Sequence, residues 1–282
     1  MTDASDSRGR EQPASDCWGR LNEVEDLAPI LTILDALPEG FGEARRTLLR
    51  HLGLRATSHV LEAGSGPGTA LPDLVEHVGP EGRIVGIDPT RALVAQASER
   101  ARATGASQAT YDVGDIRRIP FPDGAFDAAF CDKILVHVSP VSQAIAELAR
   151  VTRRGGRVGA VEWFAQGMVL AADYAVTRQV LDGSAPAGAL NPMTPLELES
   201  HFATAGLESI ESGTIVAESR QFLPSLRIML ERRVQQATDL GALTADAGAA
   251  WLRDLETRAA HGRFYWAALV RWAAGVKHEA RS

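Results

Sequence analysis

The sequence predicts an α/β fold: a doubly wound, seven-stranded sheet with its last strand antiparallel, carrying helical lid insertions. Three observations predict it. Apolar runs of strand length alternate with helical stretches from residue 58 onward, the glycine loop Gly64-Ser65-Gly66-Pro67-Gly68-Thr69 follows the first run, and Asp88 ends the second. With 282 residues and 45% hydrophobic content, the chain can bury one large core with appendages. A chain near 300 residues hides about 75% of its unfolded surface.

Taken in order, residues 1–16 are rich in Ser, Asp, Gly and Arg and predict a disordered lead-in. Residues 17–56 form an N-terminal helical segment broken at Pro38-Glu39-Gly40, with Leu48, Leu49 and Leu52 along one side of its second half. Residues 57–163 are the cofactor-binding core. Its strands fall at 58–63, 83–87, 109–113, 126–131 and 157–163, and its helices at 71–78, 91–104 and 141–152. Such alternation implies parallel strands joined by right-handed crossovers. Residues 164–193, with Tyr174, read as a lid. The remainder, 194–282, completes the core and carries a helical lid insertion at about 218–262, with helices at 223–240 and 247–260. Thr194-Pro195-Leu196-Glu197 has the form of a capping box and predicts a helix over 195–205. Strands at 207–216 and 263–270 close the sheet, the second as an antiparallel neighbour.

Composition narrows the function. The net charge is −7, from 36 acidic and 29 basic residues, without a basic stripe interleaved with aromatics, so nucleic acid is not expected as a partner. Two cysteines, Cys17 and Cys131, make no disulfide framework. The seven histidines show no metal-ligand spacing, so no metal is expected. No apolar run reaches membrane-spanning length, and a cytoplasmic location without a membrane partner is the expectation.

The glycine loop carries the chemistry. Gly64 and Gly66 allow a sharp turn and a close approach of backbone to ligand, and the helix that follows is expected to aim amide groups at it. Asp88 lies 24 residues after Gly64, near the spacing at which a carboxylate at the second strand's end takes ribose hydroxyls. A dinucleotide fingerprint wants glycine where Thr69 stands. Glu62 beside the loop would repel a pyrophosphate but attract an ammonium and a sulfonium, both of which S-adenosylmethionine carries.

Four blocks in order complete the pattern: residues 60–68, Val85-Gly86-Ile87-Asp88, Gly114-Asp115-Ile116 followed by Ile119-Pro120-Phe121-Pro122-Asp123-Gly124-Ala125-Phe126-Asp127, and Glu147-Leu148-Ala149-Arg150-Val151 leading to Gly155-Gly156. On these the chain resembles the class I S-adenosylmethionine-dependent methyltransferases, a Rossmann-like fold, and in particular the UbiE-like branch acting on small molecules. It departs from that pattern at Arg154, where proline is usual. The resemblance implies S-adenosyl-L-methionine as cofactor and S-adenosyl-L-homocysteine as product. It implies a cofactor site of Glu62, Gly64, Ser65, Gly66, Asp88, Pro89, Asp115, Ile116 and Cys131. In it Asp88 would accept from both ribose hydroxyls, Asp115 from the adenine amino group, and Ile116 would cover the adenine face.

Two residues stand as candidate catalytic groups. His137, after the fourth strand, reads as a general base or as a structural histidine capping the next helix. Glu162, at the end of the fifth, reads as a base, an acceptor-orienting group, or a carboxylate tied to an arginine. Trp18, Tyr174 and Trp163 are candidate substrate contacts. Lys133 reads as a solvated or ion-paired lysine. The expected activity is methyl transfer to O, C or N of a small, partly apolar metabolite, in bacterial specialised metabolism. A cyclase or a cofactor-binding regulatory module on the same fold is the alternative, and a homodimer is one option for assembly.

Overall fold

A computed structural model describes residues 26–184 and 190–278. The expected lead-in at 1–16, Cys17 and Trp18 lie outside the described residues. Helix α1 (Ala28–Asp35) and α2 (Glu39–His51) precede the sheet. The core then alternates β1 (His59–Ala63), α3 (Leu71–Val75), β2 (Arg83–Asp88), α4 (Arg91–Thr104), β3 (Ala109–Val113), β4 (Phe126–Asp132), α5 (Val141–Val151) and β5 (Thr152–Trp163). After it come β6 (Val169–Leu170), α6 (Tyr174–Asp182), α7 (Leu198–Thr204), β7 (Leu207–Ser219), α8 (Pro224–Asp239), α9 (Ala245–Ala260) and β8 (Trp266–Lys277).

The strands form one sheet in the order β3-β2-β1-β4-β5-β8, with β7 on the far edge of β8 and β6 extending its β5 side. The pairs from β3 to β5 are parallel, and β8 runs antiparallel to both β5 and β7. The expected doubly wound sheet with an antiparallel last strand is therefore present, with two-residue β6 as an eighth strand. Chain order reverses between β1 and β4, so a crevice opens beyond their carboxyl ends, where ligands bind in such sheets.

Strand alternation divides the core into two layers. Val60, Ile84, Ala128, Phe130 and Val161 face α2, α3 and α4, where Leu48, Leu49, Leu71, Leu74 and Ala97 are buried. Leu61, Val85, Ala129, Cys131 and Val158 face α5 and α7, against Ile145, Leu148, Leu198 and Phe202. Burial on both faces accounts for the continuous apolar runs, which lack the polar alternation of a half-wet sheet.

Two local expectations are corrected. The Thr194 capping box does not form: residues 194–196 make a 3₁₀ turn, Thr194 is buried without a side-chain cap bond, and the helix starts at Leu198. The final strand runs over Trp266–Lys277, later and longer than 263–270. Its Ala273-Ala274-Gly275 run has low intrinsic strand preference, yet ladders with β5 and β7 hold it on both edges. Small residues suit that crowded position, since a Cβ on Gly275 would meet Leu207 Cβ at 3.0 Å.

Beyond the sheet, α8 lies against α1 and α9, and α6 packs on both α8 and α9. Ser225 Oγ donates to the Ala36 carbonyl at 2.6 Å, joining the start of α8 to the end of α1. This pair of helices covers the crevice.

Candidate active site

A cavity of about 350 Å³ occupies the crevice, bounded by the turns after β1, β2 and β4 and roofed by α1 and α8. The glycine turn forms its floor. Gly64 and Gly66 have φ of +78° and +53°, torsions that a side chain strains. A Cβ on Gly64 would lie 2.4 Å from Ile134 Cδ1, whereas a Cβ on Gly66 would meet nothing within 4 Å and would occupy space that a ligand could fill. The amides of Gly64 and Ser65 donate to the Ile87 carbonyl at 2.7 and 2.9 Å. The expectation that the next helix aims amides at the ligand is corrected: α3 starts only at Leu71, whose amide donates to Gly68, while that of Gly68 donates to Ser65.

Asp88 is 5% exposed and lines the cavity. Its Oδ2 accepts from the Gly66 amide at 3.0 Å and its Oδ1 from the Thr90 amide at 2.8 Å, so turn and carboxylate are one unit. Pro89, Asp115 and Ile116 line the same wall. Asp115 is clasped by Arg117, with Nε and Nη2 bonds to Oδ2 at 3.0 and 2.6 Å. Burial would raise its pKa, but the Arg117 bonds outweigh that and hold it below the ordinary range.

Beneath the turn lies a buried charged cluster. Arg45 of α2 reaches Asp73 at 2.7 Å and Asp132 at 3.2 Å, and Lys133 reaches Asp132 at 2.6 Å. Burial would raise the Asp132 pKa, yet Lys133 and Arg45 hold it low. Lys133, with φ +63°, is thus the ion-paired lysine among its two readings. Glu62 is 3% exposed, lines the cavity, and leaves Oε2 without a hydrogen-bond partner. Burial pushes its pKa up to about 8, despite the pull of Arg45. A buried carboxyl oxygen left in this way is suited to a cationic ligand.

Glu162 takes a different place from the acceptor-facing one expected of it. It is fully buried, is absent from the cavity wall, and among the described residues meets no arginine: Oε1 accepts from the amides of Ile134 and Leu135 at 2.8 and 2.6 Å. Burial pushes its pKa to about 8 against the pull of those amides. The loop it holds, residues 133–138, presents Ile134, Val136 and His137 to the cavity. Cys131 is fully buried among the α5 layer and off the wall, and burial raises its thiol well above the ordinary range. Tyr174 is corrected as a substrate contact: it is 78% exposed at the start of α6, away from the cavity. Trp163 does line it, set edge-on to Phe41 at 5.6 Å.

The helical segment before the sheet and the insertion expected at 218–262 do supply the roof, but sequence reasoning named none of its lining side chains. Ile30, Ile33, Leu34 and Leu37 in and just after α1 supply its apolar part, and Met229, Arg232, Arg233 and Gln236 of α8 its mixed part. One signal was available: Leu226, Leu230, Arg233 and Ala237 share a helical face, which places an arginine among core positions.

Residues 60–156 match the family model described as a methyltransferase domain. Residues 60–156 are a methyltransferase domain. An uncharacterised 37.1 kDa protein of transposon TN4556 from Streptomyces fradiae is 33% identical over 75% of this chain and 61% of its own length. The demethylmenaquinone methyltransferase of Beutenbergia cavernae is 35% identical over 42% of this chain and 46% of its own. The chain thus spans less than two thirds of the length of these relatives. Among solved structures, the [4+2]-cyclase SpnF superposes with a TM-score of 0.55 at 25% identity, covering 83% of this chain and 79% of that one. The residues of this methyltransferase domain fit the cofactor its class implies: an orphaned Glu62 oxygen awaits a cation, the Gly66 face is open, and Asp88 stands at the wall. Among the described residues no cluster of three metal-ligating side chains occurs, and no helix is long and apolar enough to cross a membrane.

Proposed function

We propose that this chain transfers a methyl group from S-adenosylmethionine to O, C or N of a small, partly apolar acceptor. The observation that carries the reading is the convergence of the Gly64–Gly66 turn, Asp88 and the unpartnered Glu62 carboxyl on one cavity that also has an aliphatic wall. When bound, the cofactor supplies an electrophilic methyl on a sulfonium. Glu62 then pairs with its cationic part, Asp88 accepts from the ribose hydroxyls, and Asp115 and Ile116 receive the adenine. Pro89 and Ser65 complete the enclosure, while Cys131 contributes from behind the wall through its strand.

In-line transfer demands position and dryness more than chemistry from the protein. Ile30, Ile33 and Leu34 exclude water from the acceptor side, with Trp163 as a further contact. His137 lines the cavity after β4 and serves as base where the acceptor must lose a proton. Glu162 positions the His137 loop and meets neither cofactor nor acceptor. The names of the relatives include a demethylmenaquinone methyltransferase and sterol methyltransferases, which is in keeping with a partly apolar acceptor.

Parallel calorimetric titrations of the full chain with S-adenosylmethionine, S-adenosylhomocysteine and NAD test the cofactor. Binding of both sulfur nucleosides is expected, and binding of NAD alone would overturn the reading. For His137→Ala, turnover should fall more than cofactor affinity, and full activity across pH would leave the residue structural. The likeness to SpnF favours a second reading, a cyclase on the same scaffold. Release of S-adenosylhomocysteine in proportion to product separates the two.

A further inference from the structure

Arg233 is the least expected group in the cavity wall. It is 3% exposed, and Nη1 donates to Ser184 Oγ at 3.1 Å while buried Nη2 is left without a partner among the described residues. Among the described residues no carboxylate lies in ion-pair contact with it, and burial alone acts on its pKa, drawing it down to about 10. It therefore remains cationic at neutral pH. Arg45 is answered by Asp73 and Asp132 and Arg117 by Asp115, while Arg232, which also lines the cavity, is exposed to water. A buried guanidinium without an anion is costly, and such a group is retained where a ligand supplies the missing charge.

The surroundings define that ligand further. Gln236, one turn along α8, adds a side-chain amide to the wall, while Ile33 and Leu37 supply aliphatic surface. The carboxylates of the cavity, Glu62, Asp88, Asp115 and Asp132, lie at or just beyond the β1, β2, β3 and β4 ends, and none acts on Arg233. One cavity thus has an anionic floor on the sheet and a cationic point in its roof.

We propose that Arg233 receives an anionic group of the acceptor, a carboxylate or a phosphate monoester, on an otherwise apolar body. The inference rests on the methyltransferase reading for the word acceptor, but anion binding itself is tested apart from it. A planar fork donates to either oxyanion with two parallel bonds, which fixes the acceptor's orientation toward the floor as well as its charge.

The test titrates the full chain at pH 7.5 with octanoate, octyl phosphate and 1-octanol, each with and without S-adenosylhomocysteine. Octanoate or octyl phosphate should bind and 1-octanol should not, and the tighter of the charged pair names the anion. Arg233→Met should weaken the charged probe about tenfold or more, the usual worth of a charge-assisted bond, with S-adenosylhomocysteine affinity retained. Equal binding of octanol and both anions to the wild-type chain overturns the proposal without any variant, as does an unchanged anion affinity in Arg233→Met. Should that variant fail to fold, Arg233→Lys is the substitute: it keeps the charge but loses the fork, and a charged probe that binds it as tightly as wild type overturns the bidentate assignment. Failure of S-adenosylhomocysteine to bind the wild-type chain would instead strike the cofactor reading and leave the anion result standing.

Discussion

At the scale of single residues, Asp88 and Glu62 do opposite things with buried carboxyls. Asp88 has both oxygens engaged by backbone amides, so it is held in shape before any ligand arrives. Asp88→Ala should lower S-adenosylhomocysteine affinity about tenfold or more, by loss of the proposed ribose bonds and of the Gly66 tether. Calorimetry together with an unchanged circular dichroism spectrum checks this, and an unchanged affinity would remove Asp88 from the cofactor site. Glu62 instead keeps an oxygen without a partner. Glu62→Gln preserves shape but removes the carboxyl that a bound cation would hold ionised, so S-adenosylmethionine binding should weaken by about tenfold while the fold persists. Equal affinity of the two proteins would show that the carboxyl does not meet the cation.

At the scale of elements, Glu162 couples β5 to the loop that follows β4. Its Oε1 satisfies two adjacent amides, so Glu162→Ala leaves both unpaired in a dry setting and should cost about 1–3 kcal/mol. Glu162→Gln retains the accepting oxygen and should recover most of that stability. Urea unfolding of the two variants checks the contrast, and equal loss in both would mean that charge, not acceptance, matters. A related element is the turn after β1. Gly64→Ala combines a strained φ with a collision against Ile134, so the turn and the loop held by Glu162 would have to shift together.

For the whole molecule, the two glutamates imply a pH dependence with a defined sign. Both have folded pKa values near 8 against an ordinary 4.5. Between those values the folded chain keeps a proton that the unfolded chain has lost, so stability falls as pH rises, by up to about 1.4 kcal/mol per pH unit for each group. Above about 8 the effect levels off. Asp132, Asp115, Asp127 and Glu147 shift downward and act in the acid range, which keeps the windows apart. Urea unfolding at pH 5, 6.5 and 8 should show this decline in the wild type and a flatter profile in the double variant Glu62→Gln, Glu162→Gln. Parallel profiles would contradict the assignment. The core has its own test in Phe130, fully buried at the centre of β4, where Phe130→Ala should cost about 3–5 kcal/mol.

The sequence by itself determined the sheet and the floor of the site, because both rest on near-neighbour geometry. Strand runs follow from burial on two faces, the Gly64–Gly66 turn from torsions that a Cβ strains, and Asp88 from its place at a strand end. Tertiary structure alone decided the rest. Glu162 looked like an acceptor-facing carboxylate until the loop 28 residues earlier in sequence closed over it. Tyr174 looked like a lid contact until α6 turned it to solvent. Arg233 lies 169 residues beyond Gly64, and only the packing of α8 over α1 brings its guanidinium into the same cavity. Such long-range placement depends on which apolar faces bury one another, and local periodicity names the faces without naming their partners.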